Sequence, residues 1–187
     1  MGFATDYQPL AEALAGADHV DVKTAEFDGG GLAPAELLRE AIAGCFGYQP
    51  AWITALYHVR RGFVRLLGMR QEGVPQAQRL HAADVPMAPG AKLGFFTVAA
   101  AEEGRHWLAG ASESHLTARL GLVLEQAAGA TRLHAVTIVH YHRWTGPVYF
   151  NVIRPFHHLV VAGMLRAGVR QVRARAARPS GGERQAA

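Results

Sequence analysis

Alternation with period two dominates the second half of the chain. From His115 to Gln126, Leu116, Ala118, Leu120, Leu122 and Leu124 fall on one side, against His115, Thr117, Arg119 and Glu125 on the other. That is the pattern of a strand with one face in a core, and it predicts Arg119 and Glu125 in solvent. After Ala127-Ala-Gly-Ala130, a longer strand is predicted over 131–144. Its odd positions (Leu133, Ala135, Thr137, Val139, Tyr141) are smoother than its even ones (Arg132, His134, Val136, Ile138, His140, His142), so the odd face is read as the inner one. Upstream, strands are predicted over 93–101 and 105–111, joined by the Glu102-Glu-Gly104 turn. Residues 19–27 alternate as well, with Val20, Val22 and Ala25 against Asp21, Lys23 and Glu26.

Helical spacing appears in three places. Pro34 opens a helix to about Phe46, where a proline in the first turn is well placed. A second is predicted over 51–69, with Trp52, Leu56, Val59, Phe63 and Leu67 on one stripe and Arg60, Arg61 and Arg65 off it. The third spans about 147–173, its apolar face carrying Tyr149, Val152, Ile153, Phe156, Leu159, Val160, Gly163, Met164 and Ala167. Pro155 lies inside that helix and predicts a kink or local break. Residues 70–92 read as a long loop with one short strand near 80–85, of a length that suits a cover over a pocket mouth. The order strand, two helices, antiparallel meander and one long helix predicts an α+β fold. A curved sheet of about five to seven strands would grip the last helix and leave an apolar hollow between them.

Bulk properties narrow the classes. With 187 residues and 50% hydrophobic content, one globular domain is expected over 18–173, preceded by a segment 1–17 and followed by a disordered basic tail 174–187. The net charge of +4 comes largely from arginines crowded at the C-terminus, among them Arg166, Arg170, Arg173, Arg175, Arg178 and Arg184. Such a diffuse excess supports weak, salt-sensitive attraction and no nucleic-acid partner. Cys45, the single cysteine, excludes a disulfide framework and reads as a small core residue rather than a nucleophile. Gly29-Gly-Gly31 lacks the Lys-Ser/Thr of a phosphate loop and reads as a turn. The N-terminus shows no signal-like segment and no apolar run reaches 18 residues, so a cytoplasmic protein without an integral membrane span is expected.

The stretch from Tyr141 to His158 (YHRWTGPVYFNVIRPFHH) resembles the family of the domain of unknown function numbered 2867. That family lies within the START-like superfamily, also called SRPBCC or birch-pollen-allergen-like. His142, Gly146, Tyr149, Pro155, Phe156 and His157 carry the match, and Arg143 stands where an asparagine is expected. Ala51-Trp52 and Ser114-His-Leu116 also resemble the family's pattern. The resemblance spans most of residues 18–172 and implies the helix-grip fold. It implies no particular activity. Family members occur alone or behind an NAD(P)-binding domain, which this chain lacks, so no cofactor is expected.

Candidate chemistry is sparse. His140 and His142 share one strand side, with His134 further along and His157 a conceivable third ligand across the sheet. Against a metal, that face reads as an outer solvated surface with no acidic residue near in sequence. His157 falls at the flank of the last helix's apolar face, beside Ile153 and Val160, while His158 points away. At the cavity rim it would titrate near neutral pH. A hydrogen bond to backbone freed by Pro155 is the equally weighted structural alternative. If the odd face of the last strand is inward, Tyr141 and Thr137 supply polar groups, and Trp107 and Tyr149 supply aromatic walls. Leu120, Ile153 and Phe156 complete the expected ligand contacts. Three functions follow: binding of a hydrophobic or aromatic small molecule; a cofactor-independent cyclase, dehydratase, aromatase or isomerase using Tyr141 and His157 as acid and base; or a peripheral membrane or lipid-transfer protein. The fold also leaves room for a homodimer.

Overall fold

The computed structural model describes residues 7–66, 80–127 and 130–178. Six strands form one antiparallel sheet: β1 (His19–Phe27), β2 (Lys92–Leu93), β3 (Phe96–Glu102), β4 (His106–Ser112), β5 (Leu116–Ala127) and β6 (Ala130–Tyr141), in spatial order β1-β6-β5-β4-β3-β2. Four helices join them: α1 (Gln8–Leu14), α2 (Pro34–Phe46), α3 (Ala51–Leu66) and the long α4 (Thr145–Ala176). This is the helix-grip arrangement, an α+β fold in which α2 and α4 pack together against the sheet.

The β5 and β6 alternation fixes which face holds the main core. Leu122 pairs with Ala135 and Leu124 with Leu133. These side chains join Leu37, Leu38 and Ile42 of α2 and Val161, Leu165, Val169 and Val172 of α4. The odd face of β6 is therefore the inner one. The even face is not the solvated surface expected from its histidines: α1 lies across it, and Leu10 and Ala13 pack on Leu108, Val123, Val136 and Ile138. Seven residues are too few to show helical periodicity, so the alternation of β6 was the only pattern there to read. Arg119 and Glu125 are half-buried rather than free in water, Glu125 bonding His134 at 3.0 Å.

Three local expectations are corrected. The strand predicted over 93–101 is a hairpin, because Gly94 takes φ +61° and folds Lys92–Leu93 back on Phe96 and Thr97. The strand predicted near 80–85 is a 3-10 turn at Ala82–Asp84. Of the kink or local break expected at Pro155, the break does not occur: helix α4 is continuous there. Pro155 and Asn151, whose carbonyl it leaves without a helical donor, are both exposed, so water can take the place of the missing bond. Among the described side chains of α3 the buried one is Ile53, whereas Trp52 is 39% exposed. The side chains of Val59, Phe63, Arg61 and Arg65, and all of 67–79 including most of the expected cover, lie outside what is described.

Where α2 meets α4 the backbones touch. A Cβ on Gly168 would lie 2.7 Å from Cys45 Sγ and 2.8 Å from the Ala41 carbonyl oxygen, and one on Gly44 2.8 Å from the Ala167 carbonyl oxygen. The C-terminal half of α4 is thus pressed onto α2. Its N-terminal half behaves differently: Val152 is 51%, Phe156 47% and Leu159 61% exposed, although all three fall on the predicted apolar face. That half of the helix borders a hollow. Among the described residues no helix is long and apolar enough to cross a membrane.

Candidate functional site

The hollow is a cavity of about 420 Å³ bounded by β5, β6, α3 and the first half of α4. Its wall is chiefly apolar, including Phe46, Ile53, Leu116, Leu120, Val139, Phe150, Ile153 and Val161. Phe95, Val152 and Phe156 line it and also reach solvent, so they mark its mouth. Cys45 contributes to the wall, and burial pushes its thiol up to about 12, which makes it inert as a nucleophile at neutral pH.

Six of the eight expected contact residues line this cavity: Leu120, Thr137, Tyr149, Ile153, Phe156 and His157. Trp107 does not. It is fully buried in the core, its indole N–H donates to the Pro86 carbonyl at 2.9 Å, and it packs edge-on against Phe46, which forms the wall in its place. Tyr141 does not line it either. As the last residue of β6 it sits where the strand leaves the cavity, with its backbone N–H donating to Asp18 Oδ2 at 2.6 Å. Burial, assisted by Asp18, raises its phenol above the ordinary range. Tyr141 and His157 both pack on the Phe150 ring, at 6.2 and 5.9 Å between centroids. They do not form the expected acid–base pair facing one guest.

His157 is held by Thr137: its Nε2 lies 3.1 Å from Thr137 Oγ1. The partner is a β6 side chain, not backbone freed by Pro155. Burial, then the neighbouring His158, drives its pKa down to about 4, which corrects the expectation of a near-neutral titration. At pH 7 the cavity is offered a neutral imidazole. His158 does turn from the cavity, to Asp21 of β1 at 3.1 Å between Nδ1 and Oδ2.

The other three histidines weighed as metal ligands are engaged separately. His134 is buried between Thr24 (2.9 Å) and Glu125 (3.0 Å), His140 lies 3.2 Å from the Ala15 carbonyl, and His142 lies 2.8 Å from Thr117. An acid does stand beside His134, across the β5–β6 hairpin rather than near it along the strand. No group of three metal-ligating side chains occurs among the described residues.

Local sequence gave no sign of a polar cluster in the cavity wall. Arg60, expected in solvent, turns inward from α3; its Nε donates to the Tyr149 hydroxyl and its Nη2 to Glu113 Oε1 at 2.6 Å. Burial opposes the guanidinium charge, but Tyr149 and Glu113 outweigh it and raise the Arg60 pKa. Behind Glu113 lies His115, fully buried, its ring edge-on to Tyr149 at 4.9 Å and its Nε2 3.6 Å from Glu113 Oε2. Burial lowers the His115 pKa despite the opposing carboxylate. The contributing positions are 113, 115, 60 and 149, and no periodicity or motif connects them. The one available signal was Glu113 itself, a carboxylate in the short link between two core strands.

No curated protein matches the chain. Among solved structures, the crystal structure of Ara h 8.0201 is similar at 13% identity and a TM-score of 0.37, covering 83% of this chain and 99% of that one. The family described as Protein of unknown function (DUF2867) has a model that matches residues 13–164, most of the chain, and the protein belongs to that family.

Proposed function

We propose that the protein binds a hydrophobic or aromatic small molecule in the cavity between β5, β6 and the first half of α4. The observation that carries this reading is the cavity itself. Its volume of about 420 Å³ falls within the roughly 300–1,000 Å³ of small-molecule sites, and its wall is apolar with few polar groups. Aromatic and aliphatic walls supply contact area, while the neutral His157–Thr137 pair and the Arg60 cluster give orientation. An acid–base enzyme built on Tyr141 and His157 has less support, since only His157 faces the space.

Titration with the neutral fluorophore N-phenyl-1-naphthylamine tests the proposal. The wild type should bind one equivalent saturably. Ile153→Trp, which projects an indole into the hollow, should weaken binding by about tenfold or more while melting as a folded protein. Absence of saturable binding, or equal affinity in the two proteins, refutes the reading.

A second reading, docking on a lipid surface, is favoured by one feature. Val148, Val152, Phe156 and Leu159 form an exposed apolar strip along α4 beside the mouth, with exposed Trp144 and Arg143 just before its start. Co-sedimentation with phosphatidylcholine and phosphatidylglycerol vesicles at low and high salt tests it. Retention in the supernatant with both lipids counts against it.

A further inference from the structure

One exposed line of α4 changes character along its length. Val148, Val152, Phe156 and Leu159 succeed one another at steps of three or four residues, the period of a single helix face. The same steps lead on through Gly163 to Arg166, Arg170 and Arg173. The four apolar residues and the three arginines are exposed. Gly163 between them is covered by Tyr48, whose ring lies so close that a Cβ on the glycine would overlap it. From the start of the helix the line therefore offers hydrocarbon, then a phenol, then guanidinium groups.

The charge on this line is uncompensated. Helix α4 carries no Asp or Glu. Arg175 is paired with Glu36 at 2.7 Å, but among the described residues Arg166, Arg170 and Arg173 have no ion-pair partner. A bilayer surface matches the order: apolar side chains enter the acyl boundary, tyrosine sits at the interface and arginine meets the headgroup phosphates. A second copy does not match it. A two-fold contact would bring the same line from both chains, with no carboxylate to meet the arginines. We propose that this line docks the protein on an anionic phospholipid bilayer, Val148 to Leu159 entering the lipid and Arg166, Arg170 and Arg173 engaging phosphates. The inference rests on the lipid-docking reading and adds the sign of the surface and the orientation upon it. The apolar part spans ~16 Å of helix and Arg166 follows ~10 Å beyond Leu159, so tilting the first half into the surface sets both at their own depths. Val152 and Phe156 also border the mouth, which this orientation turns towards the lipid. An apolar guest then passes between bilayer and cavity without crossing water.

Flotation of the full chain with vesicles of phosphatidylcholine, alone or mixed with phosphatidylglycerol, tests this. At low salt the wild type should partition about tenfold or more strongly onto the mixed vesicles, and high salt should erase most of that preference. Arg166→Gln/Arg170→Gln should cut the preference at least about fivefold, with phosphatidylcholine binding and Tm unchanged. Arg105→Gln/Arg132→Gln, which makes the same change of net charge away from α4, should keep the preference. Val148→Asp/Leu159→Asp, at exposed positions outside the cavity wall, should weaken binding to both vesicles by about tenfold or more. Equal partition of the wild type onto both vesicles, a preference unchanged in folded Arg166→Gln/Arg170→Gln, or an equal loss in Arg105→Gln/Arg132→Gln overturns the anionic assignment and leaves the lipid-docking reading intact. A wild type that floats with neither vesicle refutes both. A dimer in sedimentation velocity that Val148→Asp/Leu159→Asp dissociates gives the line to a second copy and also overturns the proposal.

Discussion

His157 offers the sharpest quantitative test of the site, because its environment sets both a sign and a size. In the unfolded chain its imidazole has the ordinary pKa of 6.5; in the folded protein burial brings it to about 4. Between those values the unfolded state holds a proton that the folded state refuses, so stability must fall as the pH drops through that window. Above pH 6.5 both states are neutral and the term vanishes. A gap of about 2.5 pKa units corresponds to roughly 3 kcal/mol once the pH is below both values, and to about 2.5 kcal/mol at pH 4.5.

The assay is urea denaturation of the wild type and His157→Asn at pH 7.0 and 4.5. Asparagine can still bond the Thr137 hydroxyl but does not titrate. At pH 7.0 the variant should be the less stable protein, because it loses ring packing against Phe150. At pH 4.5 its disadvantage should shrink or reverse, by about 2 kcal/mol relative to pH 7.0. His19, His106 and His115 are also shifted down by burial, but they are present in both proteins and largely cancel in the difference. Parallel pH profiles would mean that the folded imidazole protonates normally, and the buried His157–Thr137 contact would be wrong. The same shift predicts that guest binding owes nothing to His157 titration between about pH 5.5 and 7.5.

Three further outcomes check the frame around the cavity. Gly168→Val should lower stability by at least about 1–3 kcal/mol in thermal denaturation, since its Cβ would meet Cys45 Sγ and the Ala41 carbonyl at under 3 Å; an unchanged Tm would mean that α2 and α4 do not touch there. Leu10→Ala should cost about 2–4 kcal/mol in urea denaturation, because Leu10 is buried between α1 and the sheet, and a neutral result would detach α1 from the fold. Trp107→Phe should cost about 1 kcal/mol or more through loss of its hydrogen bond to Pro86, yet change N-phenyl-1-naphthylamine affinity by less than about twofold. A large loss of affinity would place Trp107 back in the cavity wall.

The parts of the fold legible in the sequence are those in which one local period decides one face. Leu116 through Leu124 and Leu133 through Val139 alternate because the main core lies on one side of the sheet, and their register follows from that. Legibility stops where a second element decides the outcome. The even face of β6 mixes Val136 and Ile138 with histidines, and only α1 explains why those two are buried. A helical wheel for α4 groups Val152, Phe156 and Leu159 with Gly163 and Ala167, yet the helix turns the opposite side, Val161, Leu165, Val169 and Val172, into the core against α2 and the sheet. Arg60 lies off the stripe that α3 presents, and its inward turn is decided by Glu113 and Tyr149, 53 and 89 residues away.

The two halves of α4 together account for the hollow. Near its C-terminal end, glycines bring the helix backbone against α2; near its start, buried Tyr149 and Phe150 pack their rings against Leu116 and Val139 of the sheet. A sealed, dry void of 420 Å³ would cost on the order of 10 kcal/mol at about 24 cal/mol per Å³, comparable to the whole stability of a domain this size. The fold can keep such a space only by leaving it open or by filling it. Phe95, Val152 and Phe156 show that it is open: apolar residues that a closed core would have buried instead stand about half exposed at the mouth. Their exposure carries its own hydrophobic cost, and a guest that covers them while occupying the hollow recovers it. On the proposed reading, the driving force for taking up an apolar molecule therefore comes from the same geometry that keeps the cavity from collapsing.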